Sequence, residues 1–275
     1  MLCLFAASSA LVAGPVAGSA AWNTVRRTTI PLLADAGVAS DAPILVDSAD
    51  MFTNYPAVRV EGTTLRTFDI GPPAIERVQL AIKSDGRPIE ANIELWHTPA
   101  YIPTKMRIYT EDGKIRPIDT IIETLKHPKT VAVFNVGSQE FPFEASVGHT
   151  GLGAAKYSLA NVEPELVQGA NTVRAYTFGP EVESVQVLIA SHKVGERNMK
   201  CKIELTQGPN EVKQYIELYA SSGYKNPHYY ILHTPGTDPT TIRVINQNNL
   251  EFPFEAWVLP YNVAGAPPGP IMSPF

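Results

Sequence analysis

Charge is scarce in this chain. Asp, Glu, Lys and Arg make up 18% of its 275 residues, below the quarter or so usual for a globular domain. So either much of the surface is buried or part of it meets a partner. A basic excess is also missing. Lys and Arg number 22 against 27 Asp and Glu, a net charge of −5, which argues against nucleic acid or an anionic membrane as a partner, because both need a basic face. Cysteine is nearly absent. Cys3 lies in an N-terminal segment read below as removable, which leaves Cys201 alone and no intramolecular disulfide. That fits a reducing compartment and not a secreted disulfide scaffold. Downstream of the N-terminus no apolar run is long enough to span a bilayer. Sustained helical periodicity is missing too, and 24 prolines disfavour long helices.

The signatures of chemistry are equally thin. The histidines His97, His127, His149, His192, His228 and His233 are scattered, and none forms HExxH or another metal-ligand spacing. There is no GxSxG elbow. GHTGLGAAK (148–156) matches neither GxGxxG nor GxxxxGK[ST], and it joins two β segments, so it reads as a linker. Cys201 falls on an inward strand position, where thiols are inert. No cofactor and no metal is implied, and the chain reads as a non-enzyme.

What is present begins with an address. Residues 1–21 form an apolar run ending in small residues, and no acid occurs before Asp35, whereas Arg26 and Arg27 sit in a Thr-rich stretch. A signal-like part followed by a transit-like part reads as a bipartite plastid presequence over residues 1–40, which predicts a chloroplast location.

The rest reads as a tandem duplication. EFPFEA occurs at 140–145 and again at 251–256, a spacing of 111 (251 − 140). The match extends in order through ERVQLAIKS and ESVQVLIAS, NIELWHTP and KIELTQGP, LRTFDIGP and VRAYTFGP, and VEG and VQG. Val131, Val133 and Asn135 align with Ile242, Val244 and Asn246. Such a collinear set marks an internal repeat. Each copy shows about seven short runs alternating with period two, which predicts an all-β fold, two β-sandwich-like domains in line. The expected layout is repeat one at 41–148, a linker at 149–158, repeat two at 159–262 and a Pro-rich extended tail at 263–275.

Alternation assigns faces. Phe141 and Phe143, like Phe252 and Phe254, are expected on the core side. Pro142 and Pro253 would lie opposite, on an edge strand or bulge, because proline has no N–H to donate. Glu144 and Glu255 accompany them and read as edge-strand solubility. Trp96 and Trp257 fall on the solvent-side register, each private to one copy. An exposed tryptophan is a common interface anchor; the plainer alternative is packing under a loop. The candidate assembly surface therefore comprises Trp96, Trp257, Pro142, Pro253, Glu144, Glu255 and the tail residues Pro267, Pro268 and Phe275.

The whole layout, from VEG through the paired EFPFEA strands to the proline-rich end, resembles the diatom pyrenoid shell proteins. The resemblance covers most of the chain and implies a structural plastid protein. Many copies would tile into a sheet around the Rubisco-filled pyrenoid and limit CO2 leakage. Its partner would be itself, together with the Rubisco matrix. The alternatives are a soluble tandem β-sandwich that binds a carbohydrate or protein ligand, and an enzyme with a deep cleft between the repeats.

Overall fold

Strands dominate the chain, and they fall into two sets of eight. A computed structural model describes residues 48–149, 152, 159, 161–191, 197–208 and 211–265, all within one compact unit, Ser40–Phe275. The presequence, most of the linker, and the tail residues Pro267, Pro268 and Phe275 lie outside the described residues. The first half holds a short helix, α1 (Ser48–Asn54), then β1 (Val58–Val60), β2 (Leu65–Asp69), β3 (Arg77–Lys83) and β4 (Ile89–His97). It continues with β5 (Tyr101–Thr110), β6 (Ile118–Glu123), β7 (Lys129–Asn135) and β8 (Phe143–Gly148). The second half holds β9 (Glu165–Val167), β10 (Thr172–Phe178), β11 (Val182–Ser191) and β12 (Met199–Gln207). After these come β13 (Glu211–Ala220), β14 (His228–His233), β15 (Thr240–Asn246) and β16 (Phe254–Val263).

These strands form an all-β sandwich of two antiparallel sheets. Sheet A has the order β1-β8-β3-β6-β14-β11-β16-β9, and sheet B the order β10-β15-β12-β13-β5-β4-β7-β2. Adding eight to each label of β1-β8-β3-β6 gives β9-β16-β11-β14, and the same holds for β2-β7-β4-β5. The two halves thus trace the same path. They meet strand to strand, β6 on β14 and β5 on β13. At the middle of the first seam Thr120 faces Tyr230, and at the middle of the second Arg107 faces Glu217. Both pairs are 110 positions apart, so a local twofold runs through the centre of the molecule.

Two sandwiches in line would have had two cores. Here both sheets run unbroken across the seam, and one hydrophobic cluster spans both halves, from Leu80 and Ile93 to Val187 and Ile203. The sheets differ in how they are covered. β4 buries Ile89, Ala91, Ile93 and Leu95 and turns Glu90, Asn92, Glu94 and Trp96 outward, the alternation of a sheet with one wet face. β3 and β11 are buried on both faces along most of their length, which is why VQLAI and VQVLIAS are nearly continuous apolar runs.

Part of the cover on sheet A is α1, which the sequence pattern does not announce. Seven residues are too few for helical periodicity to show. Met51 is fully buried, and the carbonyls of Met51 and Tyr55 both lie 3.4 Å from the Ser146 hydroxyl, which donates. β1 and β9, three residues each, are likewise too short to alternate visibly.

Candidate functional site

The twin EFPFEA segments are built around a buried asparagine. Asn135 and Asn246 are fully buried at the ends of β7 and β15. Asn135 Nδ2 donates to the carbonyls of Val60 (3.1 Å) and Phe141 (2.9 Å), and its Oδ1 accepts from Gly137 N (2.9 Å). Asn246 repeats this, donating to Val167 O and Phe252 O (both 2.9 Å) and accepting from Asn248 N (3.0 Å). One amide therefore ties three backbone segments together in each half. The glycines of VEG and VQG belong to the same corner. A Cβ on Gly62 would lie 2.1 Å from Ser138 O, and one on Gly169 would lie 1.8 Å from Asn249 O. The sequence flagged these asparagines as matched positions without a role; a buried polar residue at equal spacing before both motifs was the available signal.

The motif's own residues divide differently from the alternation pattern. Phe143 (2% exposed) and Phe254 (0%) are in the core, where burying each side chain contributes very roughly 2–3 kcal/mol. Phe141 and Phe252 are only half-buried and precede the strands. The guanidinium of Arg87 stands 5.9 Å from the Phe141 ring, and that of Arg197 stands 4.5 Å from the Phe252 ring. The prolines explain the break. Pro142 and Pro253 sit immediately before β8 and β16, so the ladder starts after them and Phe141 and Phe252 never join it. Nor are these edge strands: β8 lies between β1 and β3, and β16 between β9 and β11. Glu144 is exposed and lies 3.5 Å from Lys83 Nζ, whereas Glu255 is half-buried.

Trp257 is a correction to the exposed-anchor expectation. It does point to the outer face of sheet A, but it is 7% exposed. Its indole N–H donates to Val162 O at 2.9 Å, and the ring packs with Leu159, Leu188, Ala190 and Tyr229. The segment before β9 covers Trp257 as α1 covers Ser146, the matching position in the first half. Trp96 remains half-exposed on sheet B, its N–H donating to Glu94 Oε2 at 2.8 Å.

The outer face of sheet B is polar around the seam. Arg107 and Glu90 approach to 2.8 Å, Lys105 and Glu94 to 3.1 Å, and Arg243 and Glu204 to 2.9 Å. Lys202 lies 3.1 Å from Glu204 and 3.6 Å from Glu217. These four acids and four bases balance one another across neighbouring strands. The Arg107–Glu90 and Lys105–Glu94 pairs are exposed enough to contribute little stability. Tyr109 and Tyr215 stack across the seam with centroids 5.4 Å apart. Burial pushes the Glu94 carboxyl up, but hydrogen bonds from Trp96 and Lys105 outweigh it and hold the group below its ordinary value. An open depression of about 340 Å³ crosses the seam here, lined in part by Asn92, Glu94, Lys105, Arg107, Glu217 and Tyr219.

The buried titratable groups are arranged for structure. Burial pushes the Cys201 thiol far up. Lys129 Nζ donates to Leu125 O at 2.7 Å and to Ile75 O, and burial lowers its amine to about 8. His97 Nε2 lies 2.7 Å from the Thr124 hydroxyl; burial, then Lys129 and His127, push its pKa down to about 4. His228 is wholly buried and Nδ1 donates to Asn226 O at 3.0 Å. Burial lowers its pKa to about 4 against that hydrogen bond. A histidine depressed in the fold from 6.5 takes up its proton earlier in the unfolded chain. Stability is therefore present above about pH 6.5 and falls as pH drops towards 4. His228 alone is expected to account for a loss on the order of 3 kcal/mol over that window. Urea unfolding at pH 7 and pH 4.5 checks this, and His228→Gln should flatten the dependence. Among the described residues no group of three or more His, Cys, Asp or Glu side chains could hold a metal ion. No helix among them is long and apolar enough to cross a membrane.

Three solved structures show faint likeness. The PBSX exported protein XepA is 11% identical with a TM-score of 0.25, the match covering 70% of this chain and 84% of that one. A chain from Sulfolobus Turreted Icosahedral Virus is 12% identical with a TM-score of 0.20, over 70% and 94%. The vicilin of Solanum melongena is 9% identical with a TM-score of 0.19, over 77% and 76%. No curated protein matches the sequence. The sequence model described as "Diatom pyrenoid shell protein" matches residues 51–260, a span that opens in α1, crosses the seam and closes in β16. By that match over most of its length, this chain belongs to the diatom pyrenoid shell protein family.

Proposed function

We propose that this chain is a structural protein that assembles with copies of itself into a shell around the Rubisco-containing pyrenoid of a plastid. The shell would slow the escape of CO2 from the matrix during carbon fixation. Membership in the shell family carries the reading. Three features of the molecule support it. Charge is low. The buried histidines, lysine and thiol serve the fold. The depression on sheet B is open, and Glu94, Lys105, Arg107 and Glu217 in its lining are already held in ion pairs. A tandem duplication supports it physically, because two like halves joined in line present matching ends along one axis. The Rubisco matrix is the proposed neighbour on the inner side, and residues 1–40 are the proposed plastid address. Cells in which the gene is disrupted should need raised CO2 for growth and lose an ordered boundary around the pyrenoid. Normal growth in air with an intact boundary would contradict the proposal.

A further inference from the structure

Among the described residues both sheets are open, and their free edges gather in pairs. β1 and β2 end the sandwich on the side of the first half, β9 and β10 on the side of the second. These ends are thinly covered. β2 exposes four of its five residues and β10 four of its seven, so neither end is finished as a core would be. Leu65, Leu166 and Val173 are 43%, 40% and 40% exposed there, and Phe68, Tyr176 and Phe178 reach the core only half-buried.

The two sheets guard their edges differently. β1 and β9 are three residues long and follow Pro56 and Pro164 closely, the usual blunting against strand addition. β2 and β10 are longer and carry no proline. Their free backbone groups can be assigned. Ile70 N bonds Lys129 O and Asn135 N bonds Thr64 O. With Asp69 opposite Thr130 and Leu65 opposite Phe134, the N–H and C=O groups of Leu65, Thr67 and Asp69 point away from β7. In β10 the hydroxyls of Thr177 and Thr241 touch at 3.0 Å, the mark of a close, non-hydrogen-bonded pair. Alternation then turns Val173, Ala175 and Thr177 outward.

Polarity completes the match. Every neighbouring pair in sheet B is antiparallel, and β2 and β10 are seven steps apart, so they run in opposite directions. A copy shifted along the row therefore offers its β2 antiparallel to β10. We propose that a second copy of this chain docks its β2 on β10 and continues sheet B from one molecule into the next. The inference rests on the self-assembling reading above and names its contact.

Placing Thr67 opposite Ala175 aligns the two outward triplets. Arg66 then faces Tyr176, and Phe68 faces Arg174. The only hydrogen bond of the Arg66 guanidinium among the described residues is to Leu65 O at 3.5 Å, and it has no acidic partner there. Across the contact it meets an acid, because the Tyr176 hydroxyl donates to Glu165 Oε2 at 2.7 Å and Glu165 lies 2.8 Å from Arg174. A β2-on-β2 contact with the outward triplets aligned would set Arg66 opposite Phe68, with no acid directly across from it. Unlike edges therefore pair, and such a head-to-tail contact leaves a free edge at each end and propagates.

Thr67→Pro and Ala175→Pro each remove one outward N–H and leave the internal ladder intact. Each variant should keep the wild-type melting curve yet need at least about tenfold more protein to assemble. A second readout involves no proline. Thr67→Cys and Ala175→Cys chains, mixed and oxidised, should give mixed disulfide dimers, and neither should dimerise alone. Cys201 is fully buried and stays out of the reaction, and Cys3 is replaced by Ser in both chains so that no other thiol can couple them. Proline variants that assemble at the wild-type concentration, or dimers of Ala175→Cys alone, would overturn the contact and leave the shell reading standing. A wild-type chain that never assembles removes both.

Discussion

Asn246→Ala is expected to destabilise the fold by about 3 kcal/mol, and Asn135→Ala by a similar amount. Each substitution leaves two buried carbonyls and one N–H without the partner they have now. An unmade buried hydrogen bond costs more than a made one contributes, because the group has been taken from water for nothing. In a domain of this size the loss corresponds to a fall in melting temperature of about 6–12 °C for each variant. β7 and β15 are five strand intervals apart in sheet B, about 24 Å at the usual spacing, so the two effects should add. Denaturant unfolding of both single variants and the double variant tests this. Single variants within about 0.5 kcal/mol of wild type would mean that the corners are not held by these amides.

Trp257→Ala should cost about 3–5 kcal/mol, the range for emptying a large aromatic site. The loss combines the cavity among Leu159, Leu188 and Tyr229 with the abandoned carbonyl of Val162. Trp96→Ala, at a half-exposed site on sheet B, should cost less than about 1 kcal/mol. The contrast is what distinguishes a packed tryptophan from an interface anchor. An anchor would leave monomer stability unchanged and weaken assembly. If thermal unfolding shows equal, small losses for the two variants, the cover over Trp257 is not as described.

Much of the fold was legible because sheet B has one wet face. Ile89, Ala91, Ile93 and Leu95 alternate with Glu90, Asn92, Glu94 and Trp96, and such alternation marks a strand and its faces together. Seven runs per copy showed in the pattern; the eighth strand of each half, β1 or β9, is three residues long and too short to alternate visibly. Alternation failed where its assumptions did. It carried the strand back through Pro142 and Pro253, but a ladder cannot begin before the missing N–H. It placed Trp257 outward correctly, yet outward is not exposed when a segment 95 positions earlier lies on top. The seams β5–β13 and β6–β14 left no trace in the sequence. They join positions 104 to 116 apart through backbone hydrogen bonds, which any residues supply. The edge contact was unreadable for the same reason, since it depends on which N–H groups a ladder leaves free.

Sedimentation velocity of the purified chain over a rising concentration series tests the central claim most directly. The account predicts that the monomer boundary gives way, above a threshold, to a broad population of very large species. A single species of the chain mass, 29.9 kDa, at every concentration would contradict it.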